Sequence, residues 1–259
     1  VDRRKLSGLS LEQVRRLITG EVGSKVDLEI SRAGEGPRPV PVVRARLQFT
    51  PVSFRQIENT GYIRMRSPAE LTAQLARVRG GELNGLILDI RQARGGLNEE
   101  VISLVGSPPP TGLEQLSDIA SPLVSRGTIL ASIGSQQIVT SKEPLLGTIP
   151  VVVLIDHGTA DSLEVLASAL KHRPKTILLG EQSSGRSVLF KELKVPGFPD
   201  LTLRIGATEI ADATGKVLTG HGVLPDQVLP MDSVWIGHES KDIQLARAIS
   251  LLNTPDPVK

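Results

Sequence analysis

Two short apolar runs, Leu83 to Ile90 and Ile149 to Ile155, constrain this chain more than any other feature. Each is too short for a buried helix, and the second is rich in β-branched residues, so both read as strands buried in a core. The first leads into the turn Arg94-Gly95-Gly96 and the second into the turn His157-Gly158-Thr159-Ala160. Thr176 to Leu179, closed by Gly180, is a third strand of the same kind. Helical patterns alternate with these runs. One covers about Ala69 to Val78, and another covers Asp161 to Lys171 with Leu163, Leu166, Ala167 and Leu170 on one face. A short helix is expected from Asn98 to Leu104, followed by a Pro-rich surface loop from Gly106 to Gly112. Alternating strands and helices predict an α/β core.

The ends of the chain add smaller pieces. Ser10 is placed to cap a helix, with Gln13 completing a capping box and Leu11, Val14, Leu17 and Ile18 forming the apolar stripe. Lys25 to Ile30 alternates as a half-buried strand does, Ala33 to Pro41 reads as a turn, and Pro41 to Leu47 reads as a second strand. A helix on a hairpin of about 45 residues is smaller than most domains that fold alone. Glu181 to Ser187 reads as a polar loop, strands continue through Leu201 to Ile205, Gly220 to Asp226 is a turn, and Asp242 to Leu252 is a closing amphipathic helix. The implied boundaries are 1–48, 49–230 and 231–259.

Composition excludes several classes. The chain has 259 residues and a formal charge of +2. Residues 1–100 carry 17 Lys and Arg against 12 Asp and Glu, and the remainder 13 against 16. That mild asymmetry, with aromatics at only 2%, is not the dense basic, base-stacking surface of a nucleic-acid binder. Cysteine is absent, which removes disulfides, thiolate nucleophiles and the common zinc sites. His157, His172, His221 and His238 are scattered without metal-ligand spacing, so neither a metal nor a cofactor is expected. No apolar run reaches the ~20 residues of a membrane span. The opening Val1-Asp2-Arg3-Arg4-Lys5 has neither an initiator Met nor a following apolar stretch, so a processed or partial form without a signal peptide is expected.

Six stretches, in order, resemble the carboxyl-terminal processing (tail-specific) serine proteases. Leu9 to Gly20 with Gly23-Ser24-Lys25-Val26 resembles the second half of that family's PDZ module, and Gly61-Tyr62-Ile63-Arg64 resembles its first core strand. Gly85-Leu86-Ile87-Leu88-Asp89-Ile90-Arg91 with Gly95-Gly96-Leu97 resembles the segment LILDLR…PGG. Val151 to Ala160 with Glu164 resembles the strand and turn of the nucleophile. Gly180-Glu181 with Gly185 resembles the loop of the general base, and Gly220, Gly222, Pro225 and Asp226 resemble the closing turn. The resemblance implies a ClpP/crotonase-like ββα spiral core with a partial PDZ module at the N-terminus. It also implies an extracytoplasmic place of work, in periplasm, thylakoid lumen or secreted space.

The same register shows where the chain departs from that family. The family's GSASASE reads here Gly158-Thr159-Ala160-Asp161-Ser162-Leu163-Glu164, which puts Asp161 at the nucleophile position. Its FGKG turn reads Ser184-Gly185-Arg186-Ser187, which puts Arg186 at the lysine position, and Phe190 stands where a helper Gln belongs. A Ser–Lys dyad needs a hydroxyl that attacks and an amine that takes its proton. Arginine is not deprotonated in proteins, and a carboxylate is a poor nucleophile toward an amide. The oxyanion-hole equivalents are Gly95, Gly96 and the N–H of Ser162.

The expectation is therefore a catalytically inactive homologue that binds a protein or peptide partner, in a larger complex, along the old cleft. An ion pair between Asp161 and Arg186 is expected across the old site, because a one-sided change would strand a buried charge at a cost of about 3–5 kcal/mol. Asp161 at a helix start would also gain roughly 0.3–1 kcal/mol from the helix dipole. The competing reading is an active endopeptidase that uses displaced residues, Ser162 as nucleophile with Lys191 or His157 as base. One residue along a helix turns the side chain by about 100°, away from the old site. Asp89 is expected to pair locally with Arg91, and Arg94 replaces the family's Pro before the Gly-Gly.

Overall fold

The computed structural model describes the chain except for residues 32–33, 35, 47–49, 67–70, 80–82, 95–111, 239 and 255–259. It divides into two compact units, Val1–Phe49 and Thr50–Lys259.

In the first unit, helix α1 (Leu11–Ile18) starts at the expected cap. Gln13 N–H donates to Ser10 Oγ at 3.3 Å and Ser10 N–H donates to Gln13 Oε1 at 2.8 Å. Strands β1 (Lys25–Ile30) and β2 (Arg38–Val43) form an antiparallel pair. Arg44 fastens helix to hairpin: its guanidinium donates to Ile18 O at 2.7 Å, Leu17 O at 3.3 Å, Ser24 Oγ at 2.9 Å and Lys25 O at 2.9 Å. It satisfies carbonyls that the last helical turn leaves open. β2 begins three residues earlier than the sequence pattern implied and includes Pro39 and Pro41. The two prolines stand opposite Glu29 and Asp27, on alternate positions. Their missing donors can therefore both face away from β1, the one arrangement in which a strand tolerates proline.

The second unit is built on a six-stranded sheet in the order β13-β9-β8-β5-β4-β3. β3 (Val52–Ile57) runs antiparallel to β4 (Thr60–Met65); β5 (Gly85–Asp89), β8 (Val151–Ile155), β9 (Thr176–Gly180) and β13 (Gln227–Val228) continue in parallel. β5 and β8 are buried at every residue, as their apolar runs require. Leu86, Leu88, Val151, Val153 and Ile155 face the larger core, shared with α2 (Leu71–Arg79), α3 (Gly112–Ala120) and α4 (Ser162–Lys171). Ile87, Val152 and Leu154 point the other way, onto Leu245, Ala248 and Leu252 of α5 (Ile243–Asn253). Helices on both faces of a mostly parallel sheet make this an α/β fold.

A small sheet of β6 (Ile129–Ile133), β7 (Gln136–Val139) and β12 (Ala211–Asp212), and a hairpin of β10 (Val188–Val195) with β11 (Phe198–Glu209), complete the unit. The sequence pattern above assigned nothing to β3, α3, β6 or β7. The helix expected at 98–104 lies outside the described residues.

Candidate active site

The C-terminal ends of parallel strands are where open α/β sheets place their sites, and here β5, β8 and β9 end together. The turn after β8 is folded by Asp156. Its Oδ1 accepts N–H bonds from Gly158 at 2.9 Å and Thr159 at 3.1 Å. Gln92, just past β5, donates its backbone N–H to Oδ1 at 2.9 Å and its side-chain amide to Oδ2 at 2.7 Å. Thr159 Oγ1 donates to Ile90 O at 2.9 Å, and Ala160 N–H donates to Ala93 O at 3.0 Å. The residue that follows, Asp161, has φ 60° and ψ −132°. A side chain in this sparsely populated region costs of order 1–3 kcal/mol. The next residue starts α4, and Asp161 is its cap without a side-chain capping bond.

Facing this elbow is the loop after β9, held by Glu164 from the first turn of α4. The Glu164 side chain is fully buried and accepts four hydrogen bonds. Oε1 takes Ser183 Oγ–H and Gly185 N–H, both at 2.6 Å; Oε2 takes Arg186 N–H at 2.8 Å and Ser187 Oγ–H at 2.9 Å. Ser187 Oγ also lies 3.0 Å from Asp161 O, to which it donates, and Ser184 N–H donates to Thr159 O at 3.0 Å. The loop is therefore bonded to the elbow on both sides of residue 161. Gly185 has φ +71°, and a Cβ there would lie 2.8 Å from Gly220 C and 2.9 Å from His221 N. The closing turn packs backbone against backbone on the loop, and only glycine fits.

The structure thus brings positions 161 and 186 to one place, on a strained elbow and on the loop that faces it. Asp161 is half-buried and Arg186 exposed. Close ion pairs among the described residues include Arg91 with Asp89 and Asp242, Arg126–Glu143, Lys142–Asp118 and Lys171–Asp226. Ser162 is fully buried, and its Oγ is without a hydrogen-bond partner among the described residues. Phe190 is 43% exposed at the start of the hairpin. Gly95 and Gly96, and the side chain of Lys191, lie outside the described residues. His157 is exposed, and His221 Nδ1 lies 3.0 Å from Thr219 O.

Asp89 pairs with Arg91, as expected, within a larger buried group. The Arg91 guanidinium donates to Asp89 at 2.7 and 2.8 Å, to Asp242 at 2.8 and 2.9 Å and to Gln244 Oε1 at 2.8 Å; Tyr62 Oη donates to Asp89 Oδ2 at 2.7 Å. Burial and the adjacent Asp89 push the Tyr62 phenol well above its ordinary range. The roles of Asp156, Gln92 and Asp242 were not read from the sequence. Their signal is faint: an Asp directly after an apolar strand, a Gln directly after the Arg, and an Asp before a closing helix.

A sharp turn that carries a side chain from a buried strand into the start of a helix, faced by a loop bonded to that helix, is the construction of a hydrolase nucleophile site on an α/β scaffold. Residues 59–229 match the profile of Peptidase family S41, and the chain belongs to that family. It is 24% identical over 256 residues to the carboxy-terminal-processing protease of Bartonella bacilliformis, covering 92% of this chain and 55% of that one. It is 27% identical over 262 residues to the chloroplastic C-terminal processing peptidase of Tetradesmus obliquus, covering 90% and 53%. The chain spans about half the length of these curated relatives. A solved structure of the photosystem II D1 C-terminal processing protease shares the fold with a TM-score of 0.64 at 23% identity, over 88% of this chain and 61% of that one.

Proposed function

We propose that the chain is a non-catalytic member of the carboxyl-terminal processing group, which keeps the peptide-binding cleft and has lost the hydrolytic step. One observation carries this reading. The side chains that the elbow and its facing loop present are a carboxylate at 161 and a guanidinium at 186. Neither can supply the hydroxyl or the titrating amine that acyl transfer needs. The burial of Ser162 counts against the competing reading, because a nucleophile closed to solvent does not meet a polypeptide substrate.

A cleft that cannot turn over its peptide holds it. The natural ligand is an extended segment of a protein partner, taken up by strand addition. The oxyanion-hole equivalents Gly95, Gly96 and Ser162 would then serve as donors to a bound carbonyl. The core is read as a ClpP/crotonase-like spiral and residues 1–48 as the second half of a PDZ module. The place of work is read as extracytoplasmic, in line with the chloroplastic and bacterial relatives.

The test compares the parent chain with Asp161→Ser/Arg186→Lys on an unstructured protein substrate. A silent parent and a cleaving double variant are expected, with Phe190→Gln raising the rate further. Cleavage by the parent that Ser162→Ala abolishes would favour the active-enzyme reading instead.

A further inference from the structure

We infer that the C-terminal helix α5 is a positioning element for the elbow, acting through Arg91 and Gln92. These neighbours look in opposite directions. The Arg91 side chain is fully buried against α5, where Asp242 caps the helix by accepting Leu245 N–H at 2.9 Å and also accepts Gly237 N–H at 2.7 Å. Both oxygens of the same carboxylate take the Arg91 guanidinium, and Gln244 in the first turn of α5 takes a further bond. The backbone of Arg91 is tied as well, its N–H donating to Asp89 Oδ1 at 3.1 Å.

Gln92 has φ +54°, a left-handed conformation uncommon for a residue with a side chain. That single residue turns the chain from the α5 side to the elbow side. Segment 90–94 is then stitched to segment 156–160 by four bonds. They are the two from Gln92 to Asp156, the one from Thr159 Oγ1 to Ile90 O and the one from Ala160 N–H to Ala93 O. The two segments also touch without clearance. A Cβ on Gly158 would stand 2.6 Å from the Gln92 side-chain carbon Cδ and 2.8 Å from its Cα.

The strained residue 161 follows directly on the stitched turn. Its conformation is imposed from outside, since an isolated turn would relax. The imposing contacts run without a break from the cap of α5 through Arg91, Gln92 and Asp156 to Thr159 and Ala160. The docked α5 therefore sets the elbow. Every link is a hydrogen bond or direct contact between named atoms, so the coupling is open to measurement by mutant cycles.

Hydrogen–deuterium exchange on the full chain reads the device. Asp242→Asn weakens the grip on Arg91 and keeps the side chain's size; Asp232→Asn, the same exchange at the exposed residue that accepts Val234 N–H, is the control. With Asp242→Asn, the amides of 156–163 are expected to lose at least tenfold in protection while those of β6 and β7 stay within twofold. The control should move neither. An unchanged elbow beside a loosened α5 would overturn the inference, and so would an equal loss in every element, which reports global stability alone. Should Asp242→Asn fail to fold, Gln244→Ala and Gln92→Ala form a milder cycle. Their combined loss of elbow protection is expected to fall short of the product of the single losses. Independent, multiplicative losses would refute the coupling.

Discussion

Two buried carboxylate centres hold the working end of this molecule, and they are built from opposite materials. At α5, Asp89 and Asp242 close around the guanidinium of Arg91, charge against charge, with all three side chains almost fully buried. At α4, Glu164 is as deeply buried, yet its four donors are two backbone N–H groups and two serine hydroxyls. Its position in the first turn of α4 adds the favourable end of the helix dipole. The difference sets which substitutions each centre tolerates. Glu164 grips Gly185 and Arg186 by their backbones, so a change of side chain at 186 leaves the grip untouched. Ser187 likewise bonds the backbone carbonyl of residue 161. The Arg91 centre has no such freedom, because its cation is itself a side chain.

The sharpest way to break this contrast is to remove the cation. Arg91→Met leaves two carboxylates buried face to face and is expected to cost about 3–5 kcal/mol, read from the urea midpoint at neutral pH. A loss below 1 kcal/mol would show the centre to be replaceable by apolar packing. The pH dependence follows from the same geometry. Burial pushes the Asp242 carboxyl up, but the bonds and charge of Arg91 outweigh it and hold the group below its ordinary value. A depressed carboxylate stabilises the fold above its unfolded pKa of about 3.9, and that share is lost as pH falls through the folded value. Wild-type stability should therefore be insensitive to Asp242 from neutral pH down to about 4 and decline below. In Arg91→Met only the Gly237 and Leu245 N–H bonds remain to oppose burial, so the loss of stability in acid should shrink. A variant whose acid limb still matched the wild type would refute this account.

The neutral centre should give a smaller and more local effect. Glu164→Gln replaces one acceptor oxygen, which takes a backbone N–H and a serine hydroxyl, by an amide nitrogen. The hydroxyl can turn to accept, but the N–H loses its bond, at a cost of about 1–3 kcal/mol. The loss should appear as faster exchange of the 183–187 amides, with α5 undisturbed. Loosening of α5 by this variant would mean that the two centres are one network.

The parts of this arrangement that were legible in sequence are those whose signal is local. The buried strands β5 and β8 showed as apolar runs because both their faces are covered, and α1 showed its capping box because both partners lie within four residues. The start of α4 at Asp161 could be read because its helical spacing begins there. Illegible were the features made by long-range closure. The Asp242–Arg91 contact spans 151 residues, and nothing near either residue announces the other. β2 was misplaced because prolines argue against a strand unless the orientation of the pair is known.

The elbow itself offers the finest test, because its strain is a quantity the comparison predicts. If the Glu164 loop and the Gln92 stitch together impose φ 60° on residue 161, glycine should relieve it. Asp161→Gly exchanges strain of about 1–3 kcal/mol for an added backbone entropy cost of roughly 0.5–1 kcal/mol. A net gain of about 1 kcal/mol follows, or a rise in Tm of about 2–4 °C for a unit of this size. Were the conformation intrinsic to a carboxylate at that position, glycine would destabilise the chain by its entropy alone, and the sign of the shift decides. The size of the gain then locates the source of the strain. In a Glu164→Gln background the loop grips less firmly, so Asp161→Gly should stabilise by less than it does in the wild type. An undiminished gain would assign the strain to the Asp156 and Gln92 side of the elbow alone.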